Sequence, residues 1–138
     1  ARCVTGGKRP DHLPKGYFVE PTLFDNVTND MTIAQEEIFG PVISVIAYAD
    51  EDEAVAMANA SAFGLNGAVY TSDADKAYAI GRRVRSGNFT QNGLEHDSKF
   101  PFGGYKLSGT GREGGPFGLD LYTEIKTIYM PQPPKVTA

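Results

Sequence analysis

The sequence predicts an α/β fold built on a parallel sheet. Three observations carry this. Val42-Ile43-Ser44-Val45-Ile46-Ala47-Tyr48 is β-branched and apolar at successive positions, as a strand buried on both faces requires. Two segments with helical apolar spacing follow, each opened by a capping acid and closed near a glycine. A short strand-like run comes after each of them. The order strand–helix–strand–helix–strand then favours parallel pairing with right-handed crossovers.

The first thirty residues are rich in turns, with Gly6-Gly7, Pro10, Pro14-Lys15-Gly16 and Pro21 separating short apolar pieces. The opening segment turns at once, and no basic-then-apolar leader is read there. Tyr17-Phe18-Val19 and Thr22-Leu23-Phe24 are strand fragments, and Pro21 argues against a long central strand. After the 42–48 strand, Asp50 caps a helix, with Glu53 three residues on completing a box-like signal. Ala54, Val55 and Ala58 share one face, and Gly64 lies beyond the helix end.

Ala68-Val69-Tyr70-Thr71 is the next strand. Ser72 or Asp73 caps a second helix in which Ala77, Ile80, Gly81 and Val84 follow the i, i+3, i+4, i+7 rule. Arg82, Arg83 and Arg85 occupy its last turn, where cations suit the helix dipole, and Gly87 ends it. Asn88-Phe89-Thr90-Gln91 is the third strand. From Gly93 to Gly118 the chain reads as loop with room for one helical turn. Leu121 to Met130 is again strand-forming, alternating Leu121, Thr123, Ile125 with Tyr122, Glu124, Lys126. Pro131-Gln132-Pro133-Pro134 closes that run.

The 138 residues suit one domain of ordinary size, 41% apolar and 22% charged. A net charge of -4, with both signs mixed along the chain, argues against nucleic acid or an anionic membrane as the main partner. No apolar run approaches the ~20 residues that span a bilayer. The single cysteine, Cys3, excludes an internal disulfide framework and suits a reducing, cytoplasmic compartment. Three glycosylation sequons, at Asn26, Asn59 and Asn88, read as chance matches.

Gly109-x-Gly111-x-x-Gly114 matches the dinucleotide fingerprint in letters, but no buried strand precedes it, so a glycine loop packed against other backbone is the better reading. Cys3 has no evident base or helix amino-terminus to activate it. His12 and His96 lack paired ligand spacing, so no metal site is expected. Glu36 and Glu37, taken alone, read as a solvated helix end, and Phe39 as a core aromatic.

Three motifs change that balance. Gln35-Glu36-Glu37-Ile38-Phe39-Gly40-Pro41, Pro101-Phe102-Gly103-Gly104-Tyr105-Lys106 and Ser108-Gly109-Thr110-Gly111-Arg112-Glu113 occur in one order. Together they resemble the carboxy-terminal part of the NAD(P)-dependent aldehyde dehydrogenase superfamily. The resemblance runs from Gly6-Gly7 to the last strand. It implies a partial α/β catalytic domain over 1–118, followed by an oligomerisation strand and tail over 119–138.

The resemblance also implies roles. Glu37 would bind the hydroxyls of the nicotinamide ribose, since one carboxylate can accept from both members of a vicinal diol. Phe39 would lie at the same end of the cofactor, NAD or NADP, and Leu65 would contact its pocket. Phe102 would border the aldehyde tunnel; Glu95 and His96, in a polar loop before it, align only loosely. In the family a cysteine thiolate forms a thiohemiacetal and hydride passes to the cofactor. A glutamate-activated water then releases the acid.

That nucleophilic cysteine, the activating glutamate, the oxyanion asparagine and the adenine-binding domain would lie outside these residues. No catalytic residue is therefore assigned within them. The expectation is a truncated, homo-oligomeric aldehyde dehydrogenase, inactive by itself. The alternative is a non-catalytic interaction module that keeps the oligomerisation strand.

Overall fold

The structure, a computed structural model, describes residues 1–132 and 135. Strand β1 (Arg2–Thr5) pairs antiparallel with β2 (Thr22–Asp25), and β2 pairs parallel with β3 (Val42–Ser44). Strand β1 falls in a segment read as turn-rich. It is held by the β2 ladder and by Arg2, whose guanidinium bonds both oxygens of Asp25. That hydrogen bond is the largest cause holding the Asp25 carboxyl below its usual range. Strand β2 is the central strand of this sheet but only four residues long, in keeping with Pro21 arguing against a long central strand. Pro21 lies just outside it, where a missing N–H breaks no ladder bond.

The first predicted helix forms as α2 (Glu51–Ala60), after a single turn, α1 (Thr32–Gln35). Asp50 is its cap and accepts from Glu53 N at 2.9 Å, while the Glu53 carboxylate accepts from Ala49 N at 2.6 Å. A cap of this kind contributes about 1 kcal/mol. Strand β4 (Phe63–Gly64) follows, then β5 (Asn66–Val69), two residues earlier than the expected strand. The second predicted helix is α3 (Ala74–Gly81), capped by Asp73, which accepts from Lys76 N at 3.0 Å. It stops six residues short of Gly87. The Asn59 side chain holds Arg83 O at 2.8 Å and Arg85 N at 2.7 Å, fixing that stretch as turn instead of helix.

Strand β6 (Asn88–Gln91) pairs parallel with β5, from Asn66↔Asn88 to Val69↔Gln91. The buried residues Ala77 and Ile80 belong to α3, which packs on this pair. The expected single sheet is divided: β3 ladders with β2, and β5 with β6, but β3 and β5 are not hydrogen-bonded to each other. Strand β3 is also not covered on both faces. Ile43 is 64% exposed and Val45 is exposed too.

Within the expected 93–118 loop, β7 (Tyr105–Lys106) pairs antiparallel with β4, and Phe102 bridges Glu113. Residues 117–120 form one helical turn, α4 (Phe117–Asp120). The predicted closing strand forms no ladder among the described residues of this chain, residues 124–130 included, and Ile125 is 98% exposed. A strand is defined by a hydrogen-bonded neighbour, and no edge within the described residues supplies one. The expectation for 133, 134 and 136–138 falls outside the described residues.

The chain does not cover its own apolar surface. Its accessible area is 11099 Å², whereas a self-contained globule of its mass exposes about 7000 Å². Among the described residues Val27, Val55, Ala77 and Ile80 make up the buried hydrophobic core, and no large side chain is fully enclosed.

Candidate functional site

Glu36 leaves α1 in extended backbone, its N–H still donating to Thr32 O at 2.9 Å, and Glu37 follows it. Two residues on, Phe39 adopts a left-handed φ of 55° with its ring 92% exposed. For an aromatic residue that backbone costs on the order of 1 kcal/mol or more, and such strain concentrates at functional turns. The core-aromatic reading of Phe39 therefore fails for these residues. The Gly40-Pro41 turn is anchored from below by Thr22, whose N–H donates to Pro41 O at 2.8 Å.

Thr22 was not legible as a site-supporting residue. It is buried, its hydroxyl accepting from Gly7 N at 2.8 Å and donating to Glu20 O at 2.7 Å. The signal was a threonine directly after a proline at the start of an apolar pair. Through it the Gly6-Gly7 turn, β2 and the Glu37–Phe39 segment form one support.

Glu37 lies where two open grooves meet. One, of about 480 Å³, runs between Glu37 and Ala58, Ser61, Leu65 and Ser108. The other, of about 390 Å³, is lined by Glu36, Glu37, Phe39 and Ser44. The Glu37 carboxylate enters no ion pair among the described residues and stays exposed. Leu65 thus faces the same groove as Glu37, and Phe39 shares the second one with it.

Phe102 lies apart from these three, in a smaller cavity of about 210 Å³ with Asn88, Glu95, His96, Asp97 and Phe100. His96 meets the Phe102 ring edge-on, centroids 5.0 Å apart. The backbone of Phe102 is held by paired bonds with Glu113, each 2.7 Å. Asn88 ties the two regions together, its amide donating to Leu65 O at 3.3 Å and Gly103 O at 3.0 Å. In the sequence Asn88 stood out only as a strand residue and as a sequon read as a chance match.

In the glycine-rich loop Gly114 packs against the backbone of Ser98 and Phe100, whereas Gly109 faces open space. Arg112 donates to Gly104 O at 2.9 Å and Gly111 O at 2.8 Å and lies over the Tyr105 ring. Cys3 is exposed, its thiol directed at Thr5 O at 3.4 Å and Gly6 O at 3.8 Å. Among the described residues no cluster of three or more His, Cys, Asp or Glu could hold a metal ion, and no helix is long and apolar enough to cross a membrane.

These features define a partial α/β enzyme domain whose open grooves present an unpaired carboxylate beside a strained aromatic turn. The chain belongs to the aldehyde dehydrogenase family, which it matches over residues 1–128. It is 47% identical over 132 residues to a betaine aldehyde dehydrogenase of Rhizobium leguminosarum, covering 94% of this chain. Among solved structures it is similar to a Mycobacterium tuberculosis aldehyde dehydrogenase complexed with NAD+, at 47% identity and a TM-score of 0.92, covering 98% of this chain. It is also similar to a Staphylococcus aureus betaine aldehyde dehydrogenase in complex with NAD+, at 43% identity and a TM-score of 0.84, covering 88% of this chain. The chain spans 27%, 28% and 25% of those three proteins respectively.

Proposed function

We propose that these residues form the nicotinamide-facing part of an NAD-dependent aldehyde dehydrogenase that oxidises aldehydes to carboxylic acids. The observation that carries this is Glu37: an exposed carboxylate without an ion-pair partner among the described residues, facing Leu65 across a groove and flanked by the strained Phe39 turn. A carboxylate there can accept from both hydroxyls of a ribose, and the bare Phe39 ring offers a flat apolar face to a base or sugar edge. NAD is proposed over NADP because the similar solved structures hold NAD+. When bound, that cofactor would supply the hydride acceptor, taking hydride from the substrate as the substrate is oxidised.

Phe102, braced by Glu113 and faced by His96, would form one wall of the aldehyde tunnel. The thiolate that forms the thiohemiacetal, the activating glutamate and the oxyanion asparagine come from outside these residues. Cys3, exposed and directed at backbone carbonyls, takes no part. A reducing, cytoplasmic setting suits that thiol.

The test is Glu37→Gln in a full-length enzyme that carries these residues. A hydrogen bond to a charged group is worth about 1.5–3 kcal/mol. The KM for NAD is therefore expected to rise roughly tenfold or more, with the aldehyde KM little changed. An unaltered NAD KM would remove the reading.

A second reading, favoured by the bare side chains of Tyr122, Ile125 and Tyr129, makes residues 121–130 an oligomerisation strand through which copies of the protein associate. Such a strand would gain its ladder from a partner's sheet edge. Deleting 121–130 is expected to lower the mass measured in solution by light scattering. An unchanged assembly state counts against this reading.

A further inference from the structure

We infer that Lys106 is a positioning residue for the cofactor groove: its ammonium ties the end of α2 to the β4–β7 pair and so sets the groove's width opposite Glu37. This rests on the groove reading proposed above. The backbone of Lys106 is left-handed, φ 55°, a conformation rarely adopted by a long side chain without compensation. The compensation is visible. Its Nζ donates to Asn59 O at 2.9 Å and Ser61 O at 2.8 Å, carbonyls at the end of α2.

Those carbonyls are among the groups a helix leaves without internal partners, and a cation suits the negative end of its dipole. Among the described residues Lys106 has no carboxylate partner, so its charge is spent on the helix end.

The wall of the groove is otherwise stitched from both sides. On one side Phe63 pairs with Lys106 and Gly64 with Tyr105, Leu107 N donates to Ala62 O at 3.1 Å, and Gly64 N donates to Ser108 Oγ at 3.0 Å. On the other, Gly87 N donates to Gly64 O at 3.0 Å and Asn88 N to Leu65 O at 3.1 Å. Leu65 is thereby fixed. Ala58 and Ser61, which also line the groove, belong to the end of α2, and the Lys106 ammonium is the side chain that fastens that end to β7. Without it, the end of α2 keeps its bonds to Arg83 and Arg85 through Asn59 but loses its side-chain tie to β7, so its spacing from that wall of the groove loosens.

The experiment compares Lys106→Met, Lys106→Arg and Glu37→Gln in the full-length enzyme, measuring KM for NAD, KM for aldehyde and kcat separately. Met keeps the length of the stem and removes the donors. It is expected to raise the NAD KM about five- to tenfold while leaving the aldehyde KM within about twofold, and Arg is expected to restore most of the loss. General destabilisation would lower kcat through the amount of folded enzyme and leave both KM values alone. Should Lys106→Met not fold, Lys106→Gln, which shortens the donor's reach, carries the same expected split. An NAD KM unchanged in Lys106→Met or Lys106→Gln, beside a raised one in Glu37→Gln, overturns this inference alone. An unchanged NAD KM in Glu37→Gln overturns the groove reading and this inference with it.

Discussion

Purified as these 138 residues alone, the protein is expected to oxidise aldehydes with NAD at no rate above background. Covalent catalysis of this type needs a thiolate generated beside the bound aldehyde. The single thiol here, Cys3, lies exposed on β1, directed at the carbonyls of Thr5 and Gly6. Removing a covalent nucleophile and its base from an enzyme typically costs about four to six orders of magnitude in kcat. An NADH-coupled absorbance assay over several aldehydes checks this, with Cys3→Ser as the control. Turnover that disappears in Cys3→Ser would refute the assignment of the nucleophile to residues outside this stretch. The same preparation is expected to self-associate, because the faces of β3 and the 121–130 segment leave apolar side chains in water.

The second large effect is expected at Gly87. A Cβ built there falls on the carbonyl oxygen of Gly103, far inside the 3.0 Å that real Cβ atoms keep, and 3.1 Å from Gly104 Cα. Everything it meets is backbone, so no side chain can swing aside. One of the two segments must move, and both matter: Gly87 N anchors Gly64, and Gly103 follows Phe102. Gly87→Ala is expected to cost more than about 3 kcal/mol, in the range reserved for severe overpacking. With so few buried side chains, that loss should lower the midpoint of thermal unfolding, followed by circular dichroism, by at least roughly 10 °C. Gly93→Ala, where a Cβ meets nothing within 4 Å, is the matched control and should leave the midpoint nearly unchanged. Equal behaviour of the two variants would show that the approach of Gly87 to Gly103 is not as close as described.

Much of this was legible from local chemistry. Asp50 and Asp73 announced their helices because an N-cap acts within three residues, and both accept the expected N–H. The β5–β6 pairing followed from the helix between them, since a crossover of that length returns the chain parallel. Glu37 and Phe39 stood out only through the motif that contains them; taken singly, each had an ordinary reading. The early stop of α3 was not visible, because the Asn59 amide that intercepts Arg83 and Arg85 arrives from 24 and 26 residues away. The β4–β7 pair escaped notice for a similar reason: two-residue strands carry no alternation to detect.

The β3–α2–β5–α3–β6 succession, the two caps and the acidic-aromatic turn were therefore readable from the residues, through interactions spanning a few positions, whereas β1, β4 and β7 were not. Which strands share a ladder, that β3 keeps a bare face, that Leu65 looks across a groove at Glu37, and that residues 124–130 remain without a ladder were decided only by the tertiary structure. The physical reason is that sheet pairing and burial depend on a neighbour brought from far along the chain. A strand-forming sequence states the capacity to pair, while the presence of an edge settles whether it does.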